Sequence, residues 1–191
     1  MITVITGGSG SGKSAYAEEI VTKFGDLNRI YIATMFPFDK ESHERIARHR
    51  RMRAEKNFST IECYTGLKNV KIPAKSGVLL ECMSNLTANE MFQENGAGVH
   101  TVEEILEGID CLHVQAEQLV IVTNEIFSDG IEYDAETKRY QSYLGQMNQE
   151  LSKRADCVVE IVYGIPLFYK GNPEKFKEKE GQRNGTIVEQ L

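Results

Sequence analysis

Residues 7–14 read Gly7-Gly8-Ser9-Gly10-Ser11-Gly12-Lys13-Ser14, a match to G-x-x-x-x-G-K-S/T. The apolar run Ile2–Thr6 stands directly before them, and a polar-apolar stretch of helical character, residues 12–24, follows. Strand, glycine-rich turn and helix form the setting this motif needs. The glycines let the backbone curl so that successive N–H groups face inward. The first helix turn adds the positive end of its dipole to the same spot. Such a loop holds phosphate oxygens. Lys13 can reach the β- and γ-phosphates as a point charge, and the Ser14 hydroxyl can ligate Mg²⁺. The spacing predicts a nucleoside triphosphate site. It leaves open kinase, GTPase, motor and regulator, because all of them carry this loop.

The rest of the chain fits the fold that the motif implies. Val- and Ile-rich runs recur at Ile30–Thr34, Val78–Cys82, Leu119–Thr123 and Cys157–Tyr163. Runs with little polar alternation suit strands covered on both faces, which means a mostly parallel sheet. Between them, residues 40–56, 101–118 and 135–154 read as helices. In the second of these, Val102, Ile105, Leu106, Ile109, Leu112 and Val114 recur close to a 3.6 period. The expectation is one α/β domain, P-loop NTPase-like, with a mostly parallel central sheet flanked by helices, over residues 1–170. Residues 171–191 are mixed in charge and poor in large apolar groups, and read as a charged tail.

Composition excludes several classes. The 191 residues are 41% hydrophobic and 26% charged, unlike a disordered or low-complexity chain. A net charge of −6 argues against general nucleic-acid or membrane-surface binding. Cys63, Cys82, Cys111 and Cys157 form no CxxC pair, so they read as reduced thiols of a cytoplasmic protein. No run approaches the length of about 18 apolar residues that marks a membrane span.

Two further segments carry chemistry. Val78–Glu81 ends an apolar run in an acid, at the sheet edge where ligands bind in this fold class. Glu81 can hold Mg²⁺ opposite Ser14, or it can simply face solvent. Thr123, Asn124 and Glu125 end another run and read equally well as substrate contacts or as a loop start. Residues 45–53 hold five arginines: Arg45, Arg48, Arg50, Arg51 and Arg53. On a helix, Arg45, His49 and Arg53 share one face. Their mutual repulsion is offset either by a polyphosphate or by nearby acids such as Glu41, Glu44 and Glu55. Flanking arginines disfavour the imidazolium form of His49. A neutral ring beside phosphate-binding arginines can attack phosphorus, or it can merely hydrogen-bond a phosphate.

These segments together resemble the bifunctional adenosylcobinamide kinase/adenosylcobinamide-phosphate guanylyltransferase family of cobalamin biosynthesis. The resemblance runs from the first strand to about Lys170. It is carried by ITGGSGSGKS, YIAT (31–34), RIARHRRMR (45–53), FSTIE (58–62), VLLECMSNLTAN (78–89), VTNEIFSDGI (122–131), GQMNQELSKRAD (145–156) and YGIPLFYK (163–170). It implies two reactions. ATP or GTP phosphorylates the aminopropanol hydroxyl of adenosylcobinamide. GTP then gives GMP to an enzyme histidine, and adenosylcobinamide phosphate takes the GMP to form adenosylcobinamide-GDP. The histidine of the family's R-I-x-x-H segment falls on His49. The nucleotide contacts fall on Gly7–Ser14, on Thr34, Met35 and Phe36, on Arg50, Arg51, Met52 and Arg53, and on Glu62 and Glu81. The resemblance also implies a homotrimer. The sequence departs from the family at Gly10, where an arginine is usual, and at Phe58, where tryptophan is usual. Residues 133–145 are poorer in arginine than usual. A single-activity P-loop kinase and a nucleotide-binding regulator are the competing readings.

Overall fold

Side-chain alternation along the apolar runs decides which layer each residue joins. In the computed structural model the described residues are 1–171 apart from Asp129, with Met52 described only in its backbone. The tail expected over 171–191 therefore lies, Gly171 aside, outside the described residues.

The strands are β1 (Ile2–Thr6), β2 (Asn28–Ala33), β3 (Ser59–Glu62), β4 (Ser76–Glu81), β5 (Gln118–Val122), β6 (Cys157–Val162) and β7 (Ile165–Lys170). The helices are α1 (Lys13–Thr22), α2 (Lys40–Arg53), α3 (Met83–Phe92), α4 (Thr101–Gln115) and α5 (Ala135–Arg154). The sheet runs β3-β2-β4-β5-β1-β6-β7, and β7 alone is antiparallel, against β6. β1 lies between β5 and β6, with Val4 level with Ile121 and Val158.

Ile2, Val4, Ile32 and Leu80 face one side of the sheet, where Leu86, Ile109, Leu112 and Met147 of α3, α4 and α5 cover them. Ile5, Leu79 and Val120 face the other side, against Ala17, Ile20 and Val21 of α1. This period-2 split is what a sheet covered on both faces requires. Full burial of each large apolar side chain contributes about 1.5–3 kcal/mol. The glycine-rich loop and the ends of β2, β4 and β5 all open on one edge of the sheet, because these strands run parallel.

The expected α/β architecture stands, with three additions and some trimmed ends. β3 carries no apolar run because it is a sheet edge and largely exposed, and β7, the other edge, exposes Ile165, Leu167 and Tyr169. α3 starts two residues after β4 ends, and its buried face includes the polar Ser84, Thr87, Asn89 and Glu90. The helix expected over 40–56 stops at Arg53, and the one expected over 101–118 stops at Gln115. Val114 is 87% exposed and does not belong to the buried stripe of α4. No helix among the described residues is long and apolar enough to cross a membrane.

Candidate active site

The glycine-rich loop leaves β1 and enters α1 with no side chain capping the helix. Its first N–H groups are therefore available to an anion. Gly7 is required where it stands: its φ is 150°, and a Cβ there would lie 2.6 Å from the Ile161 carbonyl oxygen. Gly10 takes φ 71°, in the left-handed region that favours glycine. Lys13 folds back and donates from Nζ to the Gly8 carbonyl at 3.0 Å. Burial lowers its pKa, against the pull of Glu81.

Ser14 Oγ donates to Glu81 Oε1, and Tyr31 OH donates to Glu81 Oε2 at 3.3 Å. Glu81 is buried, which raises its pKa, while the Ser14 hydrogen bond and the Arg53 and Lys13 charges work the other way. A serine hydroxyl and a carboxylate oxygen side by side at the end of a phosphate loop are the hard donors a Mg²⁺ ion takes.

α2 begins at Asp39, which accepts from the Ser42 N–H at 2.6 Å, while Ser42 Oγ accepts from the Asp39 N–H at 3.0 Å. From this capping box the helix runs over the mouth of the loop. Arg45, His49 and Arg53 turn the same face to a cleft that Lys13, Ser14 and Glu81 also line. Arg53 is buried, its guanidinium 3.3 Å from the centre of the Tyr31 ring. The His49 pKa is lowered, first by burial and then by Arg53 and Arg48. The neutral ring expected from the arginine-rich sequence is therefore favoured. His49, Glu81 and Glu18 each offer an atom, and these atoms all lie within 4.8 Å of one another.

Other expected residues distribute unevenly. Met35, Arg50 and Glu62 line the same cleft. Arg50 pairs with Glu62 at 2.6 Å, and Tyr64 OH donates to Glu62 at 2.9 Å. Phe36 stands outside the cleft, its ring edge-to-face with Tyr64. Thr34 does not reach the cleft: it is fully buried, and its hydroxyl donates to the Cys82 carbonyl and accepts from the Cys82 N–H. Arg51 lies on another face of α2, in a shallow groove with Ser9, Glu41, Glu44 and Arg48. Of the three residues after β5, Asn124 lines the cleft and donates to Ser84. Thr123 instead donates to Asn148, and Glu125 accepts from Phe127 N–H and Ser128 as a loop start. The cysteines are free thiols, Cys63 and Cys157 buried and Cys82 and Cys111 partly so.

Sequence reasoning passed over Tyr31, Tyr64, Asn85 and, above all, Glu18. Glu18 follows Ser14 by one helical turn and sits on a face shared with Ala17 and Val21. An acid on that stripe is the signal that could have found it.

A family described as cobinamide kinase / cobinamide phosphate guanyltransferase matches residues 3–168. The bifunctional adenosylcobalamin biosynthesis protein CobU of Escherichia coli (strain K12) is 29% identical over 185 residues, covering 89% of this chain and 100% of that protein. Its namesake in Salmonella typhimurium is 29% identical over 186 residues, with 89% and 100% coverage. CobP of Pseudomonas aeruginosa, with the same description, is 29% identical over 176 residues, with 91% and 99% coverage. With a phosphate loop, an acid at the strand end and a histidine-bearing arginine helix around one cleft, and a match over nearly all its described length, this chain belongs to the cobinamide kinase / cobinamide phosphate guanyltransferase family.

Proposed function

We propose that this one cleft serves both reactions, with His49 as the residue that carries GMP. The observation that carries the reading is the approach of His49 to Glu81, within 4.8 Å, when Glu81 is itself hydrogen-bonded to Ser14 of the phosphate loop. Nucleophile and cradle meet within one chain.

In the kinase reaction the loop N–H groups and Lys13 hold the phosphates of ATP or GTP. The aminopropanol hydroxyl of adenosylcobinamide attacks the terminal phosphorus in line. Ser14 and Glu81 would hold Mg²⁺, which neutralises charge on the β- and γ-oxygens. In the transferase reaction His49 attacks the α-phosphorus of GTP and pyrophosphate leaves. Adenosylcobinamide phosphate then takes the GMP, so that two displacements replace one harder transfer. Arg45 and Arg53 flank the ring and offset charge on the phosphoryl oxygens. Arg50 and Glu62 sit further along the same wall and are the nucleotide contacts we assign there, with Met35 beside them. The roles of Thr34 and Arg51 in this scheme are indirect: Thr34 ties the end of β2 to the start of α3, and Arg51 faces the outer groove. The family resemblance carries with it a homotrimer in the cytoplasm, and light scattering of the purified chain tests the oligomeric part.

Incubation with Mg²⁺ and GTP labelled at the α-phosphate, followed by denaturation, tests the central claim. The expected result is retained label that is acid-labile and base-stable, as for a phosphoramidate, and that is absent from His49→Ala. Label that survives in His49→Ala rejects the nucleophile. No label in wild type, with kinase turnover intact, leaves a single-activity kinase.

A further inference from the structure

Glu18 stands behind this cleft, beside His49 and Glu81, and the two reactions leave it unexplained. It is 0% exposed, and its Oε2 accepts from Lys56 Nζ at 2.5 Å. Its Oε1 is buried with no hydrogen-bond partner among the described residues, and the same holds for Nδ1 of His49. The two side chains are neighbours within 4.8 Å. A buried acceptor and a buried ring nitrogen, each left open, are both costly, and a hydrogen bond between them would satisfy both. The charged groups around the ring are Arg45, Arg48 and Arg53 from its own helix, Glu18 from α1 and Glu81 from β4, with Lys56 behind Glu18. Glu81 is already committed to Ser14 and Tyr31. That leaves Glu18 to hold the ring.

We propose that Glu18 is a positioning residue for guanylyl transfer: its Oε1 accepts the Nδ1–H of His49 and so presents the Nε2 lone pair to the nucleotide. The proposal rests on His49 being the nucleophile. Nε2 bonds to the α-phosphorus, the bond from that phosphorus to the β-phosphate bridging oxygen breaks, and pyrophosphate leaves with the electron pair. The ring becomes cationic, keeps its Nδ1 proton, and stays beside the Glu18 carboxylate. In the return step an oxygen anion of the cobinamide phosphate attacks the same phosphorus, and the N–P electron pair goes back to Nε2. Neither step needs a proton to move. An acid that fixes the tautomer and orientation of an imidazole by holding its far nitrogen is a recurrent device of nucleophilic sites.

The test uses the full chain with ring-¹⁵N histidine, Mg²⁺ and GTP. Wild type is expected to show His49 as the Nδ1–H tautomer before nucleotide is added, and an Nε2-linked phosphoramidate by ³¹P–¹⁵N coupling afterwards. Glu18→Ala is expected to slow single-turnover capture of α-label by about 10²- to 10⁴-fold. Its GTP affinity should change little, and its tautomers should be mixed. Glu18→Gln keeps an acceptor but no charge and should fall between, as should the shorter Glu18→Asp. Because Glu18→Ala strands the Lys56 charge, Glu18→Ala with Lys56→Met guards against simple misfolding, and it should capture label as slowly as Glu18→Ala. An Nδ1 linkage, an Nε2–H tautomer in wild type, or capture at the wild-type rate in a folded Glu18→Ala protein overturns the proposal alone. Absence of label from wild type overturns the transferase reading, and this proposal with it.

Discussion

α1 and α2 bring their side chains to the same cleft but are held in different ways. α1 buries Ala17, Glu18, Ile20 and Val21 against the sheet, and its first turn continues from a loop anchored on β1. α2 has 14 residues, and among its described side chains only Ser42 and Arg53 are buried. Ser42 belongs to the capping box, and Arg53 lies over Tyr31. The proposed triphosphate cradle is thus fixed by the hydrophobic core, whereas His49, the proposed nucleophile, rides on a helix held by a few polar ties. Such a helix opens locally at lower free energy than the sheet does. On the proposed scheme, the phosphate-binding half of the chemistry is built for rigidity, and the half that meets first the nucleotide and then the corrinoid is not.

The largest test of this contrast is the cradle itself. Lys13→Ala removes the one side-chain cation of the loop, which the proposed scheme gives to both reactions. Both rates should fall by about 10²- to 10³-fold, as for loss of a single charge-stabilising donor. A fall in only one rate would mean that the two reactions use separate phosphate sites. Stability should divide in the same way. Leu80→Ala, in the fully buried sheet, should cost about 2–5 kcal/mol in denaturant titration. Ile46→Ala, on α2 at the cleft, buries less side chain and should cost about 1 kcal/mol. Equal costs would show that α2 is as firmly packed as the sheet.

What the sequence discloses follows the same division. β1, β4, β5 and the start of β6 are readable because burial on both faces demands unbroken Val, Ile and Leu. β3 sits at one edge, where exposure permits Ser59 and Thr60 and the hydropathy signal vanishes; β7, at the other edge, keeps Ile165, Leu167 and Phe168 but is interrupted by Pro166. α3 escapes because polar residues occupy four of its six buried positions: Thr87 bonds the Met83 carbonyl, Asn89 the Thr34 carbonyl, and Glu90 accepts from the Gly66 N–H. In the site, the loop motif and the helical spacing of Arg45, His49 and Arg53 are local, so the residues disclose them. Side-chain direction is not local, so a continuous segment such as Thr34–Phe36 or Arg50–Arg53 includes members that turn away. Glu18 shows in the sequence only as an acid on the apolar stripe of α1, and its partner Lys56 is distant in sequence.

The smallest effect belongs to the cap of α2, and it separates the two helices most sharply. Hydrogen bonds from Ser42 hold the Asp39 carboxyl below its ordinary value of 3.8. A carboxyl with a lowered pKa in the folded state stabilises that state fully above the unfolded value. It loses this contribution as pH falls through the folded value. Asp39→Ala should therefore weaken α2 equally at pH 6 and pH 8, and wild type should approach the variant only below pH 3.8. Because the sheet does not depend on this cap, the midpoint of global melting should barely move. The amides of α2 should exchange faster with solvent while those of β1 and β4 keep their protection. Asp39→Asn, which still accepts from the Ser42 N–H, should restore slow exchange in α2 and remove the change at low pH. If the sheet amides loosened together with those of α2, the cap would be part of the global fold, and the nucleophile's helix would be no freer than the cradle it serves.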